Sequence, residues 1–293
     1  MFDDTTLVQA MFAVTAATGL LCVYLLLPAA GPRRRIVTLA WVRCWAAEAI
    51  GTFALVFAGV LSISGAAVAG APAPSLPGPG SGANLASVGL ASGLAVAVMM
   101  AALGAVSGGH FNPAVTFGFL LTGRIDPLKG TLYWSAQLSG AAFAAALIAG
   151  LFGRAAVALA TPDLPPTVNV AAGVAVEAAA TFFLVLVFFG TAANGRAPQV
   201  VAPLAVGLTV ALGVMAVGPL TGAAMNPARA FGPALAAGHW HNHLVYWFGP
   251  MAGGGLGALV QHFFLREPPA TIRLAEPTAV RRPADRYLDD LAA

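Results

Sequence analysis

Two apolar segments too short to cross a bilayer, set among others that are long enough, constrain this chain more than any other feature. Each opens with Asn-Pro-Ala, as Asn112-Pro113-Ala114 and Asn226-Pro227-Ala228, behind the small-residue runs Ser107-Gly108-Gly109-His110-Phe111 and Thr221-Gly222-Ala223-Ala224-Met225. Asn is a favoured helix cap, and Pro suits the first helical position because its missing N–H would be unpaired there anyway. Each motif therefore predicts the start of a helix. The apolar runs stop at Leu121, before Thr122-Gly123-Arg124, and at Ala237, before Gly238-His239. A crossing helix needs about 20 residues, so these two predict core or re-entrant half-helices.

The surroundings of the two motifs repeat as well. Leu90-Ala91-Ser92-Gly93-Leu94-Ala95-Val96-Ala97 matches Leu204-Ala205-Val206-Gly207-Leu208-Thr209-Val210-Ala211 at the offset of 114 that also separates Asn112 from Asn226. Tyr133-Trp134 matches Tyr246-Trp247, and Glu48-Ala49-Ile50-Gly51-Thr52-Phe53 matches Glu177-Ala178-Ala179-Ala180-Thr181-Phe182. The larger offset of that last pair, 129, reflects a Pro/Gly-rich linker in the first half that the second lacks. One unit occurs twice.

With 59% hydrophobic and 9% charged residues, against about a quarter charged in a soluble domain, the composition is that of a membrane protein. Apolar spans are expected at about 45–67, 86–106, 131–152, 170–192, 200–217 and 244–265. Residues 7–29, between Asp3-Asp4 and Arg33-Arg34-Arg35, predict an extra N-terminal anchor helix in a segment 1–36; the channel-like region is 37–266, with repeats at about 45–152 and 170–265. Residues 267–293 mix Pro, Arg and Asp without an apolar face and are expected to be a disordered cytoplasmic tail. Loops carrying Arg124, Lys129, Arg196 and Arg266 fall on the cytoplasmic side by the positive-inside rule, which leaves the N-terminus outside a plasma (inner) membrane.

Three long spans per repeat set the two copies in opposite orientation, and inverted repeats bring their broken helices to a shared midplane site where irregular backbone lines a cavity. Two helix N-termini pointing at one spot carry about half a positive charge each, which repels cations and protons. The Asn112 and Asn226 amides would add donors there, and the unwound residues 108–111 and 222–225 would add carbonyl acceptors. Arg229 lies three residues past Asn226, where a charge is tolerated only if it faces water. Glu48 and Glu177 read as struts accepting hydrogen bonds from the unwound loops, with proton-coupling acids the other reading. Gln137 reads as a further polar strut, His110 as a group that orders its loop, and His239, His241 and His243 as an interfacial belt around Trp240, with metal binding or pH sensing the other reading.

No nucleophile–base pair, phosphate loop, metal-ligand spacing or basic patch is present in the sequence, so no enzyme activity, metal, cofactor or nucleic-acid partner is expected; the partners are the lipid bilayer, water and small neutral solutes. An inverted-repeat secondary transporter and a closed-pore scaffold remain as different readings.

From about Trp45 to Arg266 the chain resembles the aquaporin, or major intrinsic protein, family, through both Asn-Pro-Ala motifs, Arg229, the Glu-x-x-x-Thr pairs, Gln137 and Tyr246-Trp247-Phe248-Gly249-Pro250. The resemblance implies an all-α fold of six transmembrane helices and two re-entrant half-helices, a homotetramer with one pore per subunit, and passive conduction of water or uncharged solutes. It also implies an outer constriction at Ser92, Val214, Ala223 and Arg229. Three of those four are small or aliphatic, which implies a wide mouth suited to glycerol, urea or metalloid hydroxides such as arsenous acid.

Overall fold

A computed structural model describes residues 32–68, 82–193 and 201–265. In chain order its helices are α1 (Pro32–Val68), α2 (Gly82–Ser107), α3 (Pro113–Leu121), α4 (Pro127–Phe152), the short α5 (Arg154–Ala158), α6 (Val170–Phe188), α7 (Val201–Thr221), α8 (Pro227–Ala237) and α9 (Val245–Val260). A π-helical turn extends α6 over Phe189–Ala193, and another extends α9 over Gln261–Leu265.

Among the described residues five helices are long and apolar enough to cross a membrane: α1, α2, α4, α6 with its π turn, and α7. The sixth predicted span is α9, α-helical for only 16 residues before its own π turn. Helix α1 starts at Pro32, so residues 32–36, grouped on sequence with the N-terminal segment, belong to the helix of the first span. The anchor helix expected at 7–29 and the tail from 267 lie outside the described residues.

The repeat is visible in the packing. Helix α1 packs on α4 as α6 packs on α9, and α2 crosses α7. At that crossing Gly93 faces the Gly207 carbonyl and Gly207 faces the Gly93 carbonyl so closely that a Cβ on either would collide with backbone. Small residues let apolar helices approach to van der Waals contact where lipid leaves no hydrophobic gain between them. The half-helices are exchanged: α3 of the first repeat packs on α9, and α8 of the second on α4. Each repeat thus supplies the wall that seats the other's half-helix.

Large apolar side chains such as Phe143, Phe183, Leu212 and Phe248 lie exposed on the outside, while Glu48, Thr52, Gln137, Glu177 and Thr181 are fully buried. Apolar outside and polar within is the arrangement of an integral membrane protein, whose surface meets hydrocarbon and whose interior must satisfy every polar group.

Candidate conduction pore

The two half-helices begin as their sequences predict. Asn112 Oδ1 accepts from the Ala114 N–H at 2.8 Å, and Asn226 Oδ1 accepts from the Ala228 N–H at 2.9 Å, with Pro113 and Pro227 at the first helical positions. Ahead of each cap the chain is unwound and held open by a buried carboxylate. Glu48 Oε1 accepts from Ser107 Oγ (2.6 Å) and the His110 N–H (2.9 Å), and its Oε2 accepts from the Phe111 N–H (2.7 Å) and Gln137 Nε2 (2.8 Å). In the second copy Glu177 Oε1 accepts from Thr221 Oγ1 (2.6 Å) and the Ala224 N–H (2.9 Å), and Oε2 from the Met225 N–H (2.7 Å). A carboxylate, which only accepts, is the side chain that can answer several inward-pointing N–H groups at once.

These bonds hold an unusual backbone. Phe111 (φ 48°) and Met225 (φ 50°), the residues before the two caps, both sit in the left-handed region, a conformation costly for side chains of this size. The Tyr133 hydroxyl donates to the Ser107 carbonyl (2.7 Å) and that of Tyr246 to the Thr221 carbonyl (2.8 Å), anchoring the start of each loop. The sequence repeat pointed to both tyrosines without indicating this task.

The two motifs meet. Asn112 Nδ2 donates to the Met225 carbonyl at 2.8 Å, and Asn226 Nδ2 donates to the Phe111 carbonyl at 2.9 Å. Each amide nitrogen carries two protons and uses one here, so one from each Asn is left for the lumen. Of the carbonyls of residues 108–111 and 222–225, predicted to line one wall, those of Phe111 and Met225 each accept one bond from the opposite repeat and keep a second lone pair.

A single cavity is lined by Asn112, Asn226, Phe111, Met225 and His110 together with Ser92, Val214, Ala223 and Arg229, the four positions of the implied constriction. Apolar side chains including Leu55, Val96, Leu184 and Val210 form the rest of its wall. Glu48, Glu177 and Gln137 are buried behind the loops rather than on this surface. The lumen therefore offers a mostly apolar wall, a few fixed donors, one guanidinium and two helix N-termini aimed at its middle, an environment hostile to cations.

The profile described as Major intrinsic protein matches residues 35–261. The chain belongs to the major intrinsic protein family. It is 42% identical over 234 residues to Aquaporin TIP2-1 of Arabidopsis thaliana, covering 76% of this chain and 87% of that one. It is 44% identical over 239 residues to Aquaporin TIP4-4 of Zea mays, covering 79% and 90%. Its fold is similar to the X-ray structure of the aquaglyceroporin from Plasmodium falciparum, with a TM-score of 0.66 at 23% identity, covering 77% of this chain and 97% of that one. As a member of this family the chain is a passive membrane channel for water and small solutes, not an enzyme.

Around this family core lie contacts that the sequence did not expose. On the side of α3, His110 Nδ1 lies 3.0 Å from Thr116 Oγ1, and its ring packs against Phe119 and meets Tyr133 and Phe188 edge-on. Gln137 Nε2 reaches both Glu48 and Thr116 Oγ1 (3.0 Å), tying His110 to the strut. On the opposite side the three outer histidines have different partners. His239 Nε2 and His241 Nδ1 converge on Asp163, at 2.8 and 3.0 Å, and Asn242 Nδ2 joins them at 3.0 Å. His243 is buried and accepts from Trp247 Nε1 at 3.0 Å; desolvation lowers its pKa to about 4. Arg229 donates to the Ala160 carbonyl at 3.1 Å. Among the described residues no group of three or more His, Cys, Asp or Glu side chains is placed to hold a metal.

Proposed function

We propose that this channel passes glycerol, urea and undissociated metalloid hydroxides as well as water, and stops protons and ions. The observation that carries this reading is the composition of the outer ring: Ser92, Val214 and Ala223 share the lumen with Arg229 and bring no aromatic ring or imidazole to narrow it. Exclusion of cations and protons rests on the paired half-helix N-termini, the free protons of the Asn112 and Asn226 amides, and Arg229, all of positive sign. A passing molecule meets these donors through its oxygen, so its own hydrogens point away along the file.

The transporter reading needs an ionisable group that substrate or ion can reach. Glu48 and Glu177 are fully buried and engaged with the loops, which favours the passive pore. The chain assembles as a homotetramer with one pore in each subunit and with the Arg124 end cytoplasmic; the apolar stripe Phe143, Leu147 and Leu151 on α4 supports a membrane-buried contact face.

Reconstituted into liposomes, the protein accelerates shrinkage in an impermeant osmolyte and re-swelling in glycerol, urea and arsenous acid, with no dependence on a proton or sodium gradient. Gradient-dependent solute flux would defeat the passive pore; water flux without solute flux would defeat the wide mouth.

A further inference from the structure

Three ring side chains line the lumen among the described residues, His110, Phe111 and Phe188, and none of them belongs to the outer ring. Phe111 turns its ring into α1, so close to Gly51 that a Cβ there would collide with it. That leaves His110 and Phe188, both on the α3 side of the paired asparagines. Phe188 is the last lining residue of α6, one turn past Leu184, and the Nε2 edge of His110 lies beside Gly108, which is exposed. The two rings therefore stand together at the end of the lumen away from Arg229.

Resting on the channel reading above, we infer that His110 and Phe188 form a second, inner constriction, and that this pair rather than the outer ring sets how large a neutral solute can pass. The two rings are locked in place. They meet edge to face with centroids 5.8 Å apart, and Phe119 touches both, 4.2 Å from the His110 ring and 5.8 Å from that of Phe188. In a closed triangle of rings no member turns without moving the other two. Behind the triangle Tyr133 meets His110 edge-on, Thr116 Oγ1 lies 3.0 Å from its Nδ1, and Phe189 packs on Phe119. His110 and Phe188 are only 6% and 2% exposed, so neither has open space to swing into. The outer ring, by contrast, sets the small or aliphatic Ser92, Val214 and Ala223 beside one guanidinium. Pore diameter decides which neutral molecules pass, and bulky side chains that cannot yield stand only at the inner end.

The ratio of glycerol flux to water flux in liposomes tests this, with potassium retention showing that the pore still excludes ions. Phe188→Ala and His110→Ala each remove one ring, the second while keeping the backbone N–H that Glu48 holds. Each should raise the ratio about tenfold, the scale on which pocket bulk discriminates between solutes. Val214→Ala, which widens the outer ring instead, should raise it less. A ratio that stays put in either ring variant while water still passes overturns the inference, as does a larger rise in Val214→Ala or a rise accompanied by potassium leak. A selective gain in glycerol flux cannot come from unfolded protein. If Phe188→Ala passes no water, Phe188→Leu, which trims the side chain without emptying its seat, is held to the same criterion. The solute range proposed above fails separately: an unaltered protein that passes water but no glycerol, with ring variants that pass both, refutes that range and supports the inner filter. Glycerol flux in the unaltered protein with unmoved ratios in the variants sinks only the filter.

Discussion

Glu177→Gln changes one oxygen to an NH2 group at nearly constant volume, and so isolates what the carboxylate does for the outer pore loop. In its least disruptive pose the new amide keeps its oxygen toward Thr221 Oγ1 and the Ala224 N–H, and sets its NH2 against the Met225 N–H, now 2.7 Å from an acceptor. Two donors then face each other in a fully buried site. Losing a charge-assisted bond costs about 1.5–3 kcal/mol and stranding the buried N–H about 1–3 kcal/mol more, so destabilisation of about 3–5 kcal/mol is expected. Against a typical stability of about 5–15 kcal/mol this is a large fraction. The damage should also reach the centre of the pore, because the Met225 carbonyl holds Asn112. Thermal unfolding in detergent, paired with water flux per folded protein, measures both. Thr181→Val is the control: it removes a hydroxyl that donates only to the Glu177 carbonyl one turn back, and should cost about 1 kcal/mol or less. If Glu177→Gln unfolds within about 0.5 kcal/mol of the unaltered protein and conducts normally, a size at which surface substitutions fall, the strut argument is wrong. Flux that becomes independent of a proton gradient only in this variant would instead make Glu177 a coupling acid.

Ser92→Phe with Val214→His should narrow the mouth and reduce glycerol and urea flux about tenfold or more, with water flux reduced much less; equal loss of both would remove these residues from the constriction. Gly93→Leu should destabilise the α2–α7 crossing by about 3 kcal/mol or more, because the side chain meets the Gly207 backbone rather than a movable side chain; an unchanged melting point would contradict that packing. His243 is held below its unfolded value, so its contribution is fully present above the ordinary histidine range and is lost as pH falls toward its folded value of about 4. Across that fall about 3 kcal/mol should disappear, and His243→Gln, which still accepts from Trp247 but does not titrate, should flatten the pH dependence of unfolding.

The half-helices were legible in the sequence because their signal is local: a cap residue, a proline and a length fixed by bilayer thickness. The carboxylate pair was legible for a different reason, since duplication repeats the Glu-x-x-x-Thr spacing and turns a single polar intruder into a pattern. Ser107 and Thr221 stood at the same repeat offset and would have shown the hydroxyl that bridges each carboxylate to its loop, as in the bonds Gly109 N–H to Ser107 Oγ and Ala223 N–H to Thr221 Oγ1. Asp163 was not legible. Its partners lie 76 to 79 residues away in a loop whose histidines have no match in the equivalent connection between α3 and α4, so neither periodicity nor duplication marks the contact. The hydrogen bond that each asparagine donates to the opposite loop was hidden too, because a capping residue's remaining N–H groups are assigned by tertiary placement alone.

The crossed bonds Asn112 to Met225 and Asn226 to Phe111 bear on the origin of the chain. Neither repeat can finish its own central loop; each lacks a donor that only its inverted twin provides. A primordial single-repeat polypeptide could have formed this passage only as a pair of molecules inserted in opposite senses. Carrying both units on one chain makes that partnership intramolecular, and a change at one loop must be tolerated by the other.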